Sequence, residues 1–225
     1  VMAFGDAAFL YRWERKTEKF IDYSESLDLK GNYFQTFAED NSGNLWIGGA
    51  VSRKSNPNEI IRLLRYKDGK FQVIQIRQDF EGAIYDLLAD DKNRLWAATS
   101  RNGLLRLDDV NAENPNFISY GTAQGLSDNQ ILTVAADKFG RIYAGSGRGV
   151  DQINLETRQV RHFTAEDGLP SGAIYLSKAD KNGTVWFGSL TGIARFVPEA
   201  DKPRQTPNIY ISGLRVANKK KKISE

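Results

Sequence analysis

The stretch Asp40-Asn41-Ser42-Gly43-Asn44-Leu45-Trp46-Ile47-Gly48 decides the fold, because its pattern returns along the chain. Each copy has an aspartate, a glycine or asparagine three residues later, an aliphatic residue at plus five and a large aromatic residue at plus six. The further copies lie at 90–98, 137–145 and 180–188. The aromatic residues stand at positions 46, 96, 143 and 186, so successive copies are 50, 47 and 43 residues apart.

Each copy is typical of a tight turn that leads into a β-strand. Aspartate at the first turn position and glycine at the fourth fit a type I turn. Gly43, Gly140 and Gly183 supply a positive φ without steric cost, and Asn93 is the best substitute for glycine there. The aromatic residue then enters a strand, where large side chains fill the space between stacked sheets. A repeat of this length built on strands indicates β-propeller blades.

Alignment on the turn reveals four short strands in each repeat. An inner strand precedes the turn, the motif strand follows it, a third strand carries a recurring arginine, and a fourth carries two large apolar residues. A residue that recurs with the fold is more often a blade-spacing element than a binding site. The recurring arginines are Arg12, Arg65, Arg106 and Arg195. The sequence therefore predicts an all-β fold made of blades of four antiparallel strands.

The predicted propeller segment covers residues 1–197 and contains about five blades. Its parts are a partial blade at 1–23, complete blades at 24–80, 81–124 and 125–167, and a partial blade at 168–197. A proline-bearing linker at 198–207 follows, and 208–225 is predicted to be an edge strand or the first strand of another domain. Because the array begins and ends within a blade, we expect a fragment of a larger propeller, whose unfinished edges find partners.

The composition favours an all-β protein with many turns and excludes several kinds of site. Hydrophobic residues make up 40% of the 225 residues, and 20 residues are glycine. No run of apolar residues is long enough for a transmembrane helix. The chain has no cysteine, which excludes disulfides and thiolate sites. The net charge of +3 depends on the lysine run at 219–222, which indicates a solvated tail or linker rather than a nucleic-acid surface.

Residues that could support catalysis are few. His162 is the only histidine, and a lone strand histidine is more often a packing or surface residue than a catalyst. The motif aspartates have too few oxygen ligands nearby for calcium, and turn capping explains them. We therefore predict no catalytic residue, no metal site and no cofactor. An enzyme would also place ionisable residues at the mouth of the central channel, whereas the predicted inner strands begin with apolar residues, namely Phe34, Ile84, Ile131 and Ile174.

A ligand is expected where the sequence departs from its repeat. In a propeller, the loops that enter the inner strands and those between second and third strands share one face, and the insertion at 50–59 lengthens one of them. The polar residues expected to bind a ligand are Arg53, Lys54, Arg101, Asn102, Asp128, Asn129, Arg148 and Thr191. The residues expected to carry the structural repeat are Asp40, Gly43, Trp46, Asp90, Asn93, Trp96, Asp137, Gly140, Tyr143, Asp180, Gly183 and Trp186.

These repeats resemble the two-component regulator propeller family. A blade of that family reads approximately I-x-x-I-x-x-D-x-x-G-x-L-W-I-G-T-x-x-G-L-x-R-F, and residues 174–196 match it nearly throughout. The segments 124–129 and 167–171 match the D-G-L-P-S-N turn of the family. Residues 207–216 resemble the opening strand of the immunoglobulin-like domain that follows such propellers. Arg94, Ala98 and Tyr143 depart from the pattern at packing positions.

The resemblance implies a non-catalytic, ligand-recognising segment of a signalling protein. Such propellers are the extracytoplasmic parts of sensor histidine kinases and hybrid two-component sensors, which implies a periplasmic location and attachment to the inner membrane through segments beyond this one. It implies an oligosaccharide as ligand, a homodimer of the parent protein, and no nucleic acid as partner. The alternatives are a propeller enzyme, either a lyase or a glycosidase, and a scaffold that binds only proteins.

Two expectations about single residues follow from the alignment of the turns. Trp46, Trp96, Tyr143 and Trp186 should occupy equivalent, largely buried positions between blades. Asn93 should lie in the left-handed region, as the aligned glycines do. Replacing Asn93 by glycine should then be neutral or stabilising, because glycine removes the steric penalty of a positive φ.

Overall fold

The computed structural model describes residues 2–4, 7–24, 26–27, 29, 32–51, 62–76, 80, 82–201, 214–216 and 219–221. Within these residues the chain is built of antiparallel β-sheets, with two single-turn 3-10 helices at Thr122–Gln124 and Ala165–Asp167. The predicted all-β propeller fold is confirmed. The predicted domain bounds and the immunoglobulin-like character of 208–225 stay predictions, and residues 202–213 lie outside the described ones.

The described chain opens with two hairpins, continues with three four-stranded sheets and then forms a three-stranded sheet. The hairpins contain β1 (Met2–Phe4) and β2 (Ala7–Phe9), then β3 (Tyr11–Glu14) and β4 (Lys19–Asp22). The first blade contains β5 (Asn32–Glu39), β6 (Leu45–Val51), β7 (Leu63–Lys67) and β8 (Lys70–Val73). The second blade contains β9 (Ile84–Ala89), β10 (Leu95–Thr99), β11 (Leu104–Leu107) and β12 (Phe117–Tyr120).

The third blade repeats the same order of strands, and the sheet that follows it has three strands within the described residues. The third blade contains β13 (Ile131–Ala136), β14 (Ile142–Ser146), β15 (Gly149–Asn154) and β16 (Gln159–Phe163). The last sheet contains β17 (Leu176–Ala179), β18 (Val185–Gly188) and β19 (Ile193–Phe196). A separate hairpin pairs β20 (Leu214–Val216) with β21 (Lys219–Lys221). The inner strands β5, β9, β13 and β17 lie next to one another in sequence order, which brings the blades around a common axis.

The motif aspartate explains why the aromatic residue lies six positions later. In the first blade, Asp40 accepts hydrogen bonds through Oδ1 from the backbone N–H groups of Ser42 (2.9 Å) and Asn44 (3.0 Å). Its Oδ2 accepts from the indole Nε1 of Trp46 at 2.8 Å. One carboxylate therefore closes the turn and fixes the aromatic ring, and both acceptor oxygens of a buried charge find donors.

The same bond recurs in the other blades with a different donor in the third. Trp96 Nε1 donates to Asp90 Oδ2 at 2.8 Å, and the Tyr143 hydroxyl donates to Asp137 Oδ2 at 2.7 Å. Tyrosine therefore replaces tryptophan because it also carries a donor at the far end of its ring. Burial, together with the hydrogen bond to Asp137, raises the pKa of Tyr143 well above the ordinary tyrosine value.

The fourth turn residue has a positive φ in every copy, as predicted. Gly43, Gly140 and Gly183 have φ of 79°, 76° and 79°, and Asn93 has φ of 58°. Asn93 also has a second role that the sequence did not reveal. Its Oδ1 accepts from Asn41 N at 2.7 Å, so the asparagine joins the turns of the first and second blades. The expected neutral or favourable effect of Asn93→Gly is therefore revised, since relief of φ is opposed by loss of this bond.

The motif aromatics lie between blades, with one exception. Trp46, Trp96 and Tyr143 are fully buried, each in a cluster that contains inner-strand residues of the next sheet. Trp186 is 39% exposed, so the expectation that it would be buried is wrong. It keeps the bond from Nε1 to Asp180 (3.0 Å), but it lies on the side of the last sheet opposite to Val185 and Phe187, which pack against the third blade. No described residue forms a further blade against that side, where Ile193 is also 76% exposed.

Each inner strand of the three complete blades contains one β-bulge. Phe34 pairs with Gly49 and Thr36 with Gly48, so Gln35 has no partner in the ladder. The same shift leaves out Tyr85 in β9 and Leu132 in β13. A bulge redirects the side chain of the extra residue.

Truncation of a motif tryptophan should cost more stability in a blade that another sheet covers than in the last sheet. Trp96→Ala removes a fully buried ring and should lower the free energy of unfolding by about 3–5 kcal/mol. Trp186→Ala should cost less than Trp96→Ala, because its ring is partly solvated. Urea unfolding of both variants measures the difference. Equal losses would show that the outer side of the last sheet is covered in solution.

Acidic pH should lower the stability of the fold by protonating Asp90. Burial alone would raise the pKa of Asp90, but hydrogen bonds from Arg94 and Trp96 outweigh it, so the pKa is lowered. A lowered folded pKa contributes stability that is present above the unfolded value, about 3.9, and is lost as the pH falls through the folded one. Asp90→Asn should therefore unfold more readily at neutral pH and lose less stability in acid. The exposed Asp91→Asn is the matched control, and parallel pH profiles for all three proteins would contradict the assignment.

Candidate functional site

Three of the loops predicted to carry a ligand contact one another within the described residues. Gly103 N, in the loop before β11, donates to Asn129 O, in the loop before β13, at 2.8 Å. Around the next blade, Arg148 Nε lies 3.7 Å from Asp128 Oδ2. Each contact joins a loop between second and third strands to a loop that enters an inner strand. The folded chain thus assembles a polar loop cluster from residues 100–103, 125–129 and 146–149.

Five of the predicted ligand residues lie in this loop cluster, and their exposure and contacts differ. The Arg148 side chain is 71% exposed, and Asp128 is half-buried beside it. Asn129 is exposed, and its Oδ1 accepts from Thr122 N at 2.9 Å, which fixes the amide. Asn102 is half-buried, and its backbone N–H donates to Thr99 Oγ1 at 2.9 Å. The exposed guanidinium and the neighbouring carboxylate are the groups best placed to bind polar ligand atoms.

One further predicted residue lies in the loop cluster, and the others lie elsewhere or outside the described residues. Arg101 belongs to the same loop as Asn102 and is exposed. Thr191 lies in the corresponding loop of the last sheet, where its hydroxyl donates to Ser171 O at 2.6 Å and also contacts Ser189 Oγ at 2.9 Å. Those bonds already use the hydroxyl to close the loop. Arg53 and Lys54 lie outside the described residues.

A buried charge holds the loop at 125–129, and the sequence reasoning missed it. Asp151 is fully buried, and its Oδ2 accepts from both the backbone N–H and the hydroxyl of Ser127, each at 2.8 Å. Its Oδ1 lies 2.9 Å from His162 Nδ1. Asp128 and Asn129 directly follow Ser127, so Asp151 positions the loop that presents them. A carboxylate needs such partners to be tolerated in a buried position.

The register of the sheets shows how Asp151 could have been found. The positions equivalent to Asp151 in the other sheets hold Leu64, Leu105 and Ala194, opposite Ile47, Ala97 and Phe187 of the motif strands. A charge at an otherwise apolar position of a repeat was the available signal. The same register makes His162 more than a surface residue, since its imidazole contacts the only buried carboxylate of β15.

A second carboxylate links the inner strands at the axis. Asp86 Oδ1 accepts from the hydroxyl of Thr36 in the first blade at 3.2 Å. Its Oδ2 accepts from the hydroxyl of Thr133 in the third blade at 2.9 Å and from Val134 N at 2.9 Å. The inner strands β9 and β13 begin with Ile84 and Ile131, as predicted, whereas β5 begins at Asn32 and β17 at Leu176, and Asp86 is an ionisable residue within β9. Because both oxygens of Asp86 are hydrogen-bonded across blades, this carboxylate is a structural clamp rather than a free acid or base.

The described residues offer no ready place for a metal ion or a membrane span. Among them, no group of three or more histidine, cysteine, aspartate or glutamate side chains is arranged to hold a metal. In the same part of the chain, no helix is long and apolar enough to cross a membrane.

Part of the sequence matches a family model, and the fold matches solved structures. Residues 28–50 match the model of the two component regulator propeller family, which confirms the resemblance predicted from the repeat. No curated protein matches the chain significantly. One similar solved structure is the extracellular domain of the hybrid two component system BT3049 from B. thetaiotaomicron, with a TM-score of 0.60 and 22% identity over 74% of this chain and 22% of that one.

Two other solved structures have the same fold and different roles. PorZ, an essential surface component of the type-IX secretion system of Porphyromonas gingivalis, has a TM-score of 0.65 and 14% identity over 83% of this chain and 29% of that one. Virginiamycin B lyase from Staphylococcus aureus has a TM-score of 0.58 and 13% identity over 84% of this chain and 63% of that one. At these identities the likeness shows the propeller fold alone. The chain spans less than two thirds of each of the three structures.

Removal of the charge of Asp151 should loosen the loop at 125–129. Asp151→Asn removes the charge and one acceptor oxygen from the side chain that bonds Ser127 and contacts His162, so the Ser127 amide should exchange hydrogen faster, and the free energy of unfolding should fall by about 1–3 kcal/mol. Hydrogen exchange resolved to residues 122–130 tests this. Asp128→Asn, one residue from Ser127 but not bonded to it, is the control. Unchanged exchange at Ser127 in Asp151→Asn would show that the loop is held by other contacts.

Proposed function

We propose that this chain, which carries the two component regulator propeller repeat, is a non-catalytic recognition segment of a two-component sensor and lies outside the cytoplasm. The repeat at 28–50 supports the signalling role. The likeness to the extracellular domain of a hybrid two component system supports the location. The parent protein would be a sensor kinase or hybrid, anchored in the inner membrane and acting as a homodimer.

The observation that carries the proposal is the loop cluster around Asp128 and Arg148. Loops from consecutive blades meet there, and an exposed guanidinium stands beside a carboxylate. Such a pair offers donors and acceptors on one surface, and the loop beneath it is fixed by Asp151 through Ser127. A polar ligand therefore meets groups that are already oriented, which reduces the entropic cost of binding.

The ligand proposed for this surface is an oligosaccharide. Its hydroxyl groups can accept hydrogen bonds from Arg148 and donate to Asp128 and Asn129, a combination that neither an apolar ligand nor a simple anion would use in full. Arg53, Lys54, Arg101 and Asn102 are proposed to extend the same surface, and Thr191 to shape the neighbouring loop.

A second candidate function is a propeller lyase, which one comparison favours. The lyase from Staphylococcus aureus shares the fold over 84% of this chain. An enzyme would need a positioned base, and the imidazole of His162, oriented through Nδ1 by Asp151, is the candidate within the described residues. The two functions differ in outcome, because a sensor leaves its ligand intact.

Calorimetric titration of the chain with neutral and uronic-acid oligosaccharides tests the proposal. We expect a panel member to bind, and Arg148→Ala to weaken it about tenfold or more, as for the loss of a hydrogen bond to a charged group. Lys181→Ala, an exposed cation in a motif turn, is the matched control. Equal binding by Arg148→Ala would refute the loop cluster as the site. Release of cleaved product, abolished by His162→Ala, would support the lyase instead.

A further inference from the structure

The bulges of the inner strands place one side chain per blade on a common surface near the axis. Gln35, Tyr85 and Leu132 are the residues left out of the ladders of β5, β9 and β13. In the last sheet, Tyr175 N donates to Gly188 O at 2.9 Å while Leu176 pairs with Gly188, so Tyr175 takes the equivalent place. All four line one open depression of about 350 Å³, which we call the axial ledge.

The positions of these residues are a property of the repeat. Each bulge residue stands eleven positions before the motif aromatic of its own blade, at 35, 85, 132 and 175. These residues lie near the start of each inner strand, where the chain arrives from a loop predicted to carry a ligand. Three bulges, together with the equivalent residue Tyr175 of the last sheet, bring four side chains to one place, which indicates a surface shaped for a purpose, since bulges redirect side chains near functional sites.

The side chains of the axial ledge specify the chemistry of what fits there. They comprise two phenols, one amide and one isobutyl group, and none is charged at neutral pH. Tyr175 is 48% exposed, and Tyr85 and Leu132 are half-buried, so their apolar surfaces are open to a ligand. Phenol rings pack against flat apolar faces, and phenol hydroxyls and an amide bind polar groups at the rim of a ring. The volume lies within the range of small-ligand sites.

The axial ledge is also held rigid from beneath. Thr36, Asp86 and Thr133 directly follow the bulge residues of the three blades, and Asp86 bonds to both threonine hydroxyls. Gln35 Nε2 donates to Ile84 O at 2.9 Å, which orients its amide against the second blade. The ledge therefore keeps its shape without a ligand, as sites that bind small molecules usually do.

We propose that the axial ledge is a binding site for a neutral, hydroxyl-bearing ring with a flat apolar face. Its uncharged lining favours a neutral ligand, whereas the loop cluster presents the guanidinium of Arg148 and the carboxylate of Asp128. This proposal rests on the proposed function, because it assumes that the chain recognises a ligand. It adds a second subsite with its own chemistry. A pyranose and a phenol both have the required shape and hydroxyl groups, and the experiment separates them.

Saturation-transfer NMR on the 225-residue chain tests the axial ledge with three small probes. Methyl β-D-glucopyranoside represents the pyranose, 4-hydroxybenzyl alcohol the phenol, and sodium glucuronate the charged control. We expect at least one neutral probe to receive saturation and glucuronate to receive less. Titration of Tyr175→Ala and of Tyr85→Ala should show affinity for that neutral probe reduced about tenfold, as for loss of an aromatic contact at the centre of a site.

The controls separate a local effect from a loss of fold. Phe139→Ala removes a ring of similar exposure in a motif turn, and it should bind like the parent chain. Tyr175 is exposed, so Tyr175→Ala keeps the test valid if Tyr85→Ala fails to fold. Tyr85→Phe and Tyr175→Phe, which keep the rings, should restore most of the affinity.

The outcomes test the axial ledge as a binding site and the proposed recognition function separately. Failure of both neutral probes to bind, or binding that both tyrosine variants leave unchanged, overturns the ledge. If glucuronate or an oligosaccharide then binds in a manner sensitive to Arg148→Ala, the proposed recognition function stands without the ledge. If the neutral probe binds through the tyrosines while Arg148→Ala has no effect on any ligand, the ledge stands and the loop cluster fails.

Discussion

The structure depends on one hydrogen-bonded carboxylate in each blade. Asp40, Asp90, Asp137 and Asp180 each cap their own turn through Oδ1 and hold an aromatic donor through Oδ2. In the three complete blades the charge is tolerated at a buried position because several donors converge on it. The aromatic ring cannot be moved along the strand without losing its bond, so the carboxylate also sets how far the ring extends toward the next blade. A local turn motif thereby determines the spacing of the array.

Each blade is held in the array by packing against the blades directly beside it. Each of the buried motif aromatics packs into a cluster formed with the next sheet, and no single core unites the described chain. In an array of this kind stability is a sum of blades and their interfaces, so a blade without a neighbour keeps its internal bonds and loses its packing. Trp186 shows the separation clearly, because its bond to Asp180 persists while its ring is 39% exposed.

The polar features of functional interest are the places where one blade differs from the others. Asp151 stands where other sheets hold Leu64, Leu105 or Ala194, and it fixes the loop through Ser127. Asp86 joins the hydroxyls of Thr36 and Thr133 across three blades. Asp151 is a charge where the other blades have apolar residues, and Asp86 is a charge where they have hydroxyl groups. Both hold a surface in place. A rigid scaffold with variable loops and rim residues is the usual basis of recognition on repeat folds.

The sequence by itself determined the blade, since a period set by turn and strand residues needs only local chemistry. The Asp-to-aromatic spacing, the positive φ of Gly43 and Asn93, and the four-strand order could be predicted because each depends on residues close in the chain. Tertiary structure alone decided which polar side chains bond across blades, as with Asp86 and Thr133, whose positions differ by 47 residues, one full repeat. It also decided the exposure of Trp186 and the convergence of Gln35, Tyr85, Leu132 and Tyr175. Those features depend on how separate blades stack about an axis, and the pattern within one repeat carries no information about what lies beside it.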